Sequence, residues 1–408
     1  MRSIKEMVTA YADLVISSGV ALYQGQSLLI KTPVESYWFA QALAERAYEK
    51  GAALVRIDID DLRLLKKRIE SQDEEALTTL PDYHKTSDYE MIVKDWAFIR
   101  IDNTESRHQL VGADATKLAA YKHALSSAGK LLSATRMRHE IPWCVICVPG
   151  EVWAKDVLGP EGSVEELWSV VGPILKLDKS DPIKAWEEQS NLLKERSAKL
   201  DALNIRALNF KSKTADLRVG LPKAHLWVGG GDTLPSGRHF LPNIPTEEIF
   251  TTPDYLNVSG VVTTTRPVSV LDTIVKDVTL TFEEGRVVEC KAKVGQDVMD
   301  RFLAIDEGAK YLGEVALVDE SSPIAQSKRV FGSILYDENA SCHLALGAGY
   351  PSTLKGSEAL TNEKLLNAAG CNTSAVHTDF MVGSSDLTIT AETPQGEVAI
   401  MEGGLFVI

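Results

Sequence analysis

Apolar and polar positions repeat with different periods in the two halves of this chain. In the first half, helical spacing and short apolar runs take turns. Ser3 and Glu6 make the two ends of a capping box for a helix expected to run to Gly19, and SLLIKT, residues 27–32, is a short apolar strand. Thr32, Pro33 and Glu35 then supply an N-cap, a first-turn proline and an early acid for a second helix, Tyr37 to Lys50, stopping at Gly51. LVRIDID, AFIRID at 97–102, a helix near 113–136 and a strand around Trp143 to Val148 continue the alternation. Strands separated by helices of this length imply βαβ crossovers and a mostly parallel sheet.

The pattern over residues 160–203 is helical, and DPIKAWEEQSNLLKERSAKLDAL reads as a solvated surface helix. After about residue 204 the period changes to two. ADLRVGL, HLWVGG, SVLDTIV and the hairpin VTLTFEEGRVVECKA, turning at Glu284 and Gly285, have the alternation of antiparallel strands. Two helices interrupt them, near 296–310 and 361–369. The expected architecture is an α/β N-terminal domain with a mostly parallel sheet, residues 1–203, and a β-rich α+β C-terminal domain, residues 204–408.

A parallel sheet invites a dinucleotide reading, but the first strand-to-helix junctions read KTPVES and, after LVRIDID, DLRLLKK. Neither has the glycines that let a backbone approach a pyrophosphate. VGGGD at 228–232 has no helix pattern after it and is taken as a turn. Composition narrows the classes further: a 44% hydrophobic and 25% charged chain is that of a soluble globular protein. A net charge of −14 repels polyanions, so nucleic acid is not an expected partner. The charged residues Lys5, Glu6 and Asp13 near the start argue against a secretory leader, and no long apolar run predicts a membrane span, so the expectation is a cytoplasmic protein. Five cysteines do not build a disulfide framework, and Cys144 with Cys147 in PWCVICVPG reads as a pair of small hydrophobes in a buried strand rather than half a zinc site.

The candidate chemistry falls in the β-rich half. His377 and Asp379 in AVHTDFMVGS stand two apart, so a strand would turn both to one face. They could hold a metal or hydrogen-bond each other at a sheet edge. Glu247 and Glu248 in PNIPTEEIF could be ligands or first-turn acids of a short helix capped by Thr246. Glu314 lies inside the apolar run YLGEVALVDE, where an unpaired carboxylate is costly; its partner could be a metal or an arginine such as Arg329. His343, between Cys342 and Leu344, suits a ligand or a satisfied core histidine, and Tyr350 before Pro351 suits packing or catalysis. Together, three carboxylates and two imidazoles are expensive to bury unless divalent cations neutralise them. Mixed imidazole and carboxylate donors suit zinc, cobalt or manganese, and five groups exceed what one zinc takes, which points to two ions about 3.5–4 Å apart sharing a carboxylate.

The segments GRHFLPNIPTEEIFTTP, YLGEVALVDESSPIAQSK, LYDENASCHLALGAGYP and HTDFMVGSSDL closely resemble the metallo-aminopeptidase family typified by aminopeptidases T and S. The C-terminal GEVAIMEGGLFVI departs from that family's form without touching a candidate site residue. The resemblance implies two divalent ions, zinc by preference with cobalt, manganese or magnesium as alternatives. Its ligands fall on Glu248, Glu314, His343, His377 and Asp379, with Glu247 the alternative inside TEE. It further implies peptide substrates with a free N-terminus, broad specificity favouring large apolar residues, and a homodimer. A water held between the ions would attack the first peptide bond, Glu314 or the unused TEE acid would carry its proton, and Tyr350 would donate to the developing oxyanion. Two other readings stand beside this one. A two-metal phosphoesterase could use the same ligands, though only Lys328 and Arg329 lie near to bind phosphate; a non-catalytic module could bind a nucleotide or partner through its α/β half.

Overall fold

A computed structural model describes residues 2–271 and 273–408; Met1 and Asp272, the latter within the expected SVLDTIV strand, lie outside the described residues. The chain forms two compact units. The first holds the residues up to Trp186 together with Gly231–Pro245, the second Glu187–Gly230 and Thr246–Ile408. The backbone therefore passes between units three times, where the sequence pattern suggested one passage at residue 203.

The first unit is built on a parallel sheet of β1 (Leu28–Pro33), β2 (Val55–Asp60), β3 (Ala97–Ile101) and β4 (Trp143–Ile146), in the order β4-β3-β1-β2. The short strand Asn243–Ile244 adds to the β4 edge, also parallel. The capping box expected at Ser3 and Glu6 is present, and the helix it starts, Ile4–Leu14, runs on as a wider turn through Val15–Gly19. The single helix expected near 113–136 is two, Ala115–Ala128 and Lys130–Met137, divided at Gly129. The junction after β1 is closed by side chains: Glu35 accepts hydrogen bonds from Ser106 and Gln109, both at 2.7 Å. Cys144 and Cys147 are buried free thiols, and burial alone pushes the Cys144 thiol far up.

The second unit carries two antiparallel sheets. The larger, nine-stranded sheet includes Ala207–Lys211, Ala215–Gly220, Val258–Thr263 and the long hairpin Thr273–Glu283/Arg286–Val294. Its turn places Glu284 and Gly285 at φ +46° and +82°, the left-handed pair that tight hairpins need. The smaller sheet has five strands, with His377–Met381, His343–Gly347, Leu312–Val318, Glu248–Thr251 and Val228–Gly229 in spatial order. TEE thus opens a strand, not the short capped helix that was the other reading of it. Helix Pro182–Ala202, expected to be a solvated surface helix, buries Leu193 and Leu200 in the core of the second unit.

Period-two alternation gives the smaller sheet two distinct faces. Ile249, Val315, Leu317, Leu344, Leu346 and Phe380 point one way, into the main hydrophobic core. The intervening residues, Glu248, Glu314, His343, His377 and Asp379 among them, share the other face. Cross-strand register fixes this, since Glu314 stands opposite Ala345 and Ala345 opposite Asp379, while Ala316 stands opposite His343. A bulge between Leu312 and Glu314 re-aims the chain just before the key acid.

Gly347 closes the same strand at φ +111°, and an added Cβ there would meet the Val376 carbonyl oxygen at 2.0 Å. Because Gly347 pairs with His377, Gly347→Ala is expected to push that histidine's strand away. Thermal unfolding should show a lower Tm, and divalent-ion titration a weaker affinity; a variant matching the parent in both would contradict this reading of the strand.

Candidate metal centre

The strongest sequence candidates converge. His343 Nε2 lies 3.1 Å from a Glu248 oxygen and 3.7 Å from Glu314 Oε1. His377 Nε2 lies 3.3 Å from Glu314 Oε2 and 3.4 Å from Asp379. Glu314 therefore offers one oxygen to each histidine, and its ionic partners are these imidazoles rather than Arg329. Two overlapping trios result, Glu248–Glu314–His343 and Glu314–His377–Asp379, with the donor atoms of each within 4.8 Å of one another.

The far side of each imidazole is fixed by the backbone. His343 Nδ1 is 3.1 Å from the Ser341 carbonyl and His377 Nδ1 is 2.7 Å from that of Ala348. A carbonyl can only accept, so Nδ1 carries the proton in both rings and Nε2 faces the carboxylates, the orientation that metal-binding histidines adopt.

Glu248 rather than Glu247 joins the cluster. Glu247 turns away, accepting from Gln189 at 2.7 Å, and its N–H donates to the Asn339 side chain at 2.6 Å. Asn339 in turn donates to the Leu335 carbonyl at 3.0 Å. It thus ties the start of the Glu248 strand to the turn that precedes His343.

Glu338, beside Asn339, is a site residue that the reading of the sequence missed. Burial first, then the charges of Glu248 and Asp379, raise its carboxyl well above the ordinary range. Its signal was visible in DENASCH, an acid five residues before the histidine, but no strand alternation marks it because it sits in a short turn. Tyr350 completes the basin, its ring 4.9 Å from that of His377 and 5.6 Å from that of Phe250. Burial and the neighbouring Glu314 and Asp379 charges hold its phenol well above the usual range, so it remains a donor.

Like charges crowd this basin. Burial raises the Glu248 carboxyl, and His343 only partly offsets that. Burial opposes charge on both imidazoles, yet Glu248 and Glu314 hold His343 well above its ordinary value, and Asp379 and Glu314 do the same for His377. Asp379 goes down, because its attraction to His377 outweighs burial. Four carboxyl groups and two imidazoles are crowded into one buried basin, and nitrogen–oxygen donor sets of this kind fit divalent cations. The fit extends to shape, since Ala316 and Ala345 keep the middle of the face clear.

Its family makes the chain a metallopeptidase. The chain belongs to the thermophilic metalloprotease (M29) family, whose model matches residues 4–406. It is 34% identical to aminopeptidase AmpS of Bacillus subtilis, covering 97% of each chain, and 33% identical to aminopeptidase PepS of Streptococcus thermophilus, covering 100% of this chain and 99% of that one. The structure of wild-type AmpT from Thermus thermophilus matches with a TM-score of 0.92 at 33% identity, covering both chains completely.

Two outcomes are expected. Ala345→Leu would project a large side chain between Glu314 and Asp379; circular dichroism should stay that of the parent while chelator-competition titration shows weakened divalent-ion binding. The second concerns pH. In protein stripped of metal, the raised imidazoles contribute stability that is complete below about pH 6.5 and is lost as pH climbs through their folded values. Metal must displace the Nε2 protons, so its stabilisation runs the other way. The rise in Tm caused by saturating Mn²⁺ should therefore grow between pH 6 and pH 8.5, and a constant or shrinking rise would contradict the protonation described.

Proposed function

We propose that the basin holds two divalent cations that share Glu314, one with Glu248 and His343, the other with His377 and Asp379. Zinc is favoured, with cobalt, manganese or magnesium as alternatives. The chain is a metal-dependent aminopeptidase; phosphoester hydrolysis and a purely binding role are set aside with that family membership. When bound, two such cations polarise a peptide carbonyl and bring the pKa of an attacking water toward neutrality. The observation that carries the two-ion reading is the pair of trios meeting at one carboxylate.

The remaining groups divide the work. With each Glu314 oxygen turned to a histidine and Glu247 turned to Gln189, the proton carrier is Glu338, which belongs to neither trio. A carboxylate beside the ions that belongs to neither trio is placed to take a proton from water and pass it to the departing amine. The Tyr350 phenol donates to the oxygen on which negative charge develops. An acid-rich basin attracts the free α-ammonium of a peptide, and an acylated end lacks that charge. Beside Glu338 and Asp379 a small pocket is walled by Val268, Ile274, Val330 and Ile334, apolar groups that an apolar first side chain would meet.

Hydrolysis of leucine p-nitroanilide, its N-acetyl derivative and p-nitrophenyl phosphate by purified protein, alongside metal analysis, tests the proposal. Only the free-amine substrate should turn over, with two ions per chain. Glu338→Gln should cut kcat by about 10²-fold or more while both ions stay bound. Tyr350→Phe should lower kcat with little change in metal content. A single ion at full activity, or an unimpaired Glu338→Gln enzyme, would refute the assignment.

A further inference from the structure

In the first unit, a cleft of about 960 Å³ opens over one face of the parallel sheet. Its floor is set by register. Leu29, Phe98 and Trp143 lie in one row across β1, β3 and β4, and Lys31, Arg100 and Val145 in the next, toward the carboxyl ends of the strands. The first row packs against Met91, Leu132 and Ile141 in a small apolar cluster, with Phe98 and Trp143 still lining the cleft. The second row is exposed in the cleft, and it puts two cations directly opposite each other.

Like charges opposite one another on neighbouring strands are destabilising. Here Lys31 and Arg100 are paired at that closest position, and a third cation, Arg136, comes in from the helix above, close enough for Arg100 to act on its charge. Their existing acids are weak compensation. Lys31 meets Asp60 and Arg100 meets Asp102, each at 3.2 Å between solvent-exposed side chains. Arg136 has no ion pair among the described residues, its guanidinium lies 3.6 Å over the Phe98 ring, and its buried Nε has no hydrogen-bond acceptor. Five of the lining side chains are basic and two acidic, in a chain whose net charge is −14.

We propose that this cleft binds a small organic anion, its phosphate or carboxylate group held among Lys31, Arg100 and Arg136 and an aromatic or apolar body resting on Trp143 and Tyr121. Arginine forks and a lysine are the side chains that recognise such acid groups, and the carboxyl ends of parallel strands are where open α/β sheets take ligands. The absence of a glycine-rich junction agrees with this mode, because the acid group is met by side chains instead of a backbone cradle. Burial lowers the Arg136 pKa to about 10, which leaves it charged at neutral pH with no acid within ion-pair distance among the described residues. Asp88, the acid acting on it, is itself raised by burial.

Calorimetric titration of metal-loaded full-length protein with phenyl phosphate and with phenylacetate tests this, the shared ring leaving the acid group as the variable. At least one should bind one per chain with a Kd on the order of 1 mM or tighter. Arg100→Met and Lys31→Met, whose side chains are 49% and 43% exposed, should each weaken it roughly tenfold, and Arg136→Met should abolish it. Asp379→Asn, which disables the metal centre, should leave it intact. The proposal is overturned if neither compound binds, or if binding survives Arg100→Met and disappears in Asp379→Asn, which would place the anion on the metals.

Discussion

The constraint on which the second unit turns is electrostatic: acids and imidazoles crowded on one sheet face are tolerable only while something positive stands among them. The hydrophobic core makes that crowding unavoidable. Ile249, Val315, Leu317, Leu344, Leu346 and Phe380 are anchored in apolar contact on the opposite face, and a strand cannot rotate one alternation without moving the other. Slipping by one residue would bury Glu314 among leucines. The core thereby holds the donors in place against their own repulsion, and a cation converts the repulsion into attraction.

Much of this was readable in order along the chain. Capping chemistry at Ser3 and Glu6 and the Glu284–Gly285 hairpin turn are local signals, and local signals survive folding unchanged. The ligand face was legible for the same reason, because alternation alone sends His377 and Asp379 to one side. What was not legible depended on partners distant in sequence. Gln189, which donates to the Glu247 carboxylate, and Asn339, which accepts its N–H, lie far off in sequence and separate Glu248 from Glu247. Glu338 owes its position to a turn with no periodicity to betray it. The helix Pro182–Ala202 looked solvated because its apolar residues are sparse, yet Trp186, Leu193 and Leu200 among them are buried.

The absence of glycine at the first strand junction argued against a dinucleotide site, and the structure supplies the positive side of that argument. Glu35 fills the junction, held by Ser106 and Gln109. The same sheet instead presents its charged row of Lys31 and Arg100 to an open cleft, so the parallel sheet carries its distinctive chemistry on a face and not at a backbone loop.

The excursion of Gly231–Pro245 into the first unit has a genetic consequence. No single breakpoint in the coding sequence separates the two bodies, because a fragment ending before residue 231 omits the strand that completes the parallel sheet's β4 edge. Recombination could exchange one half for a foreign counterpart only by cutting twice more, on either side of this insert. The two units are therefore inherited together, and deletion mapping that assumes a simple head and tail would misassign what each contributes.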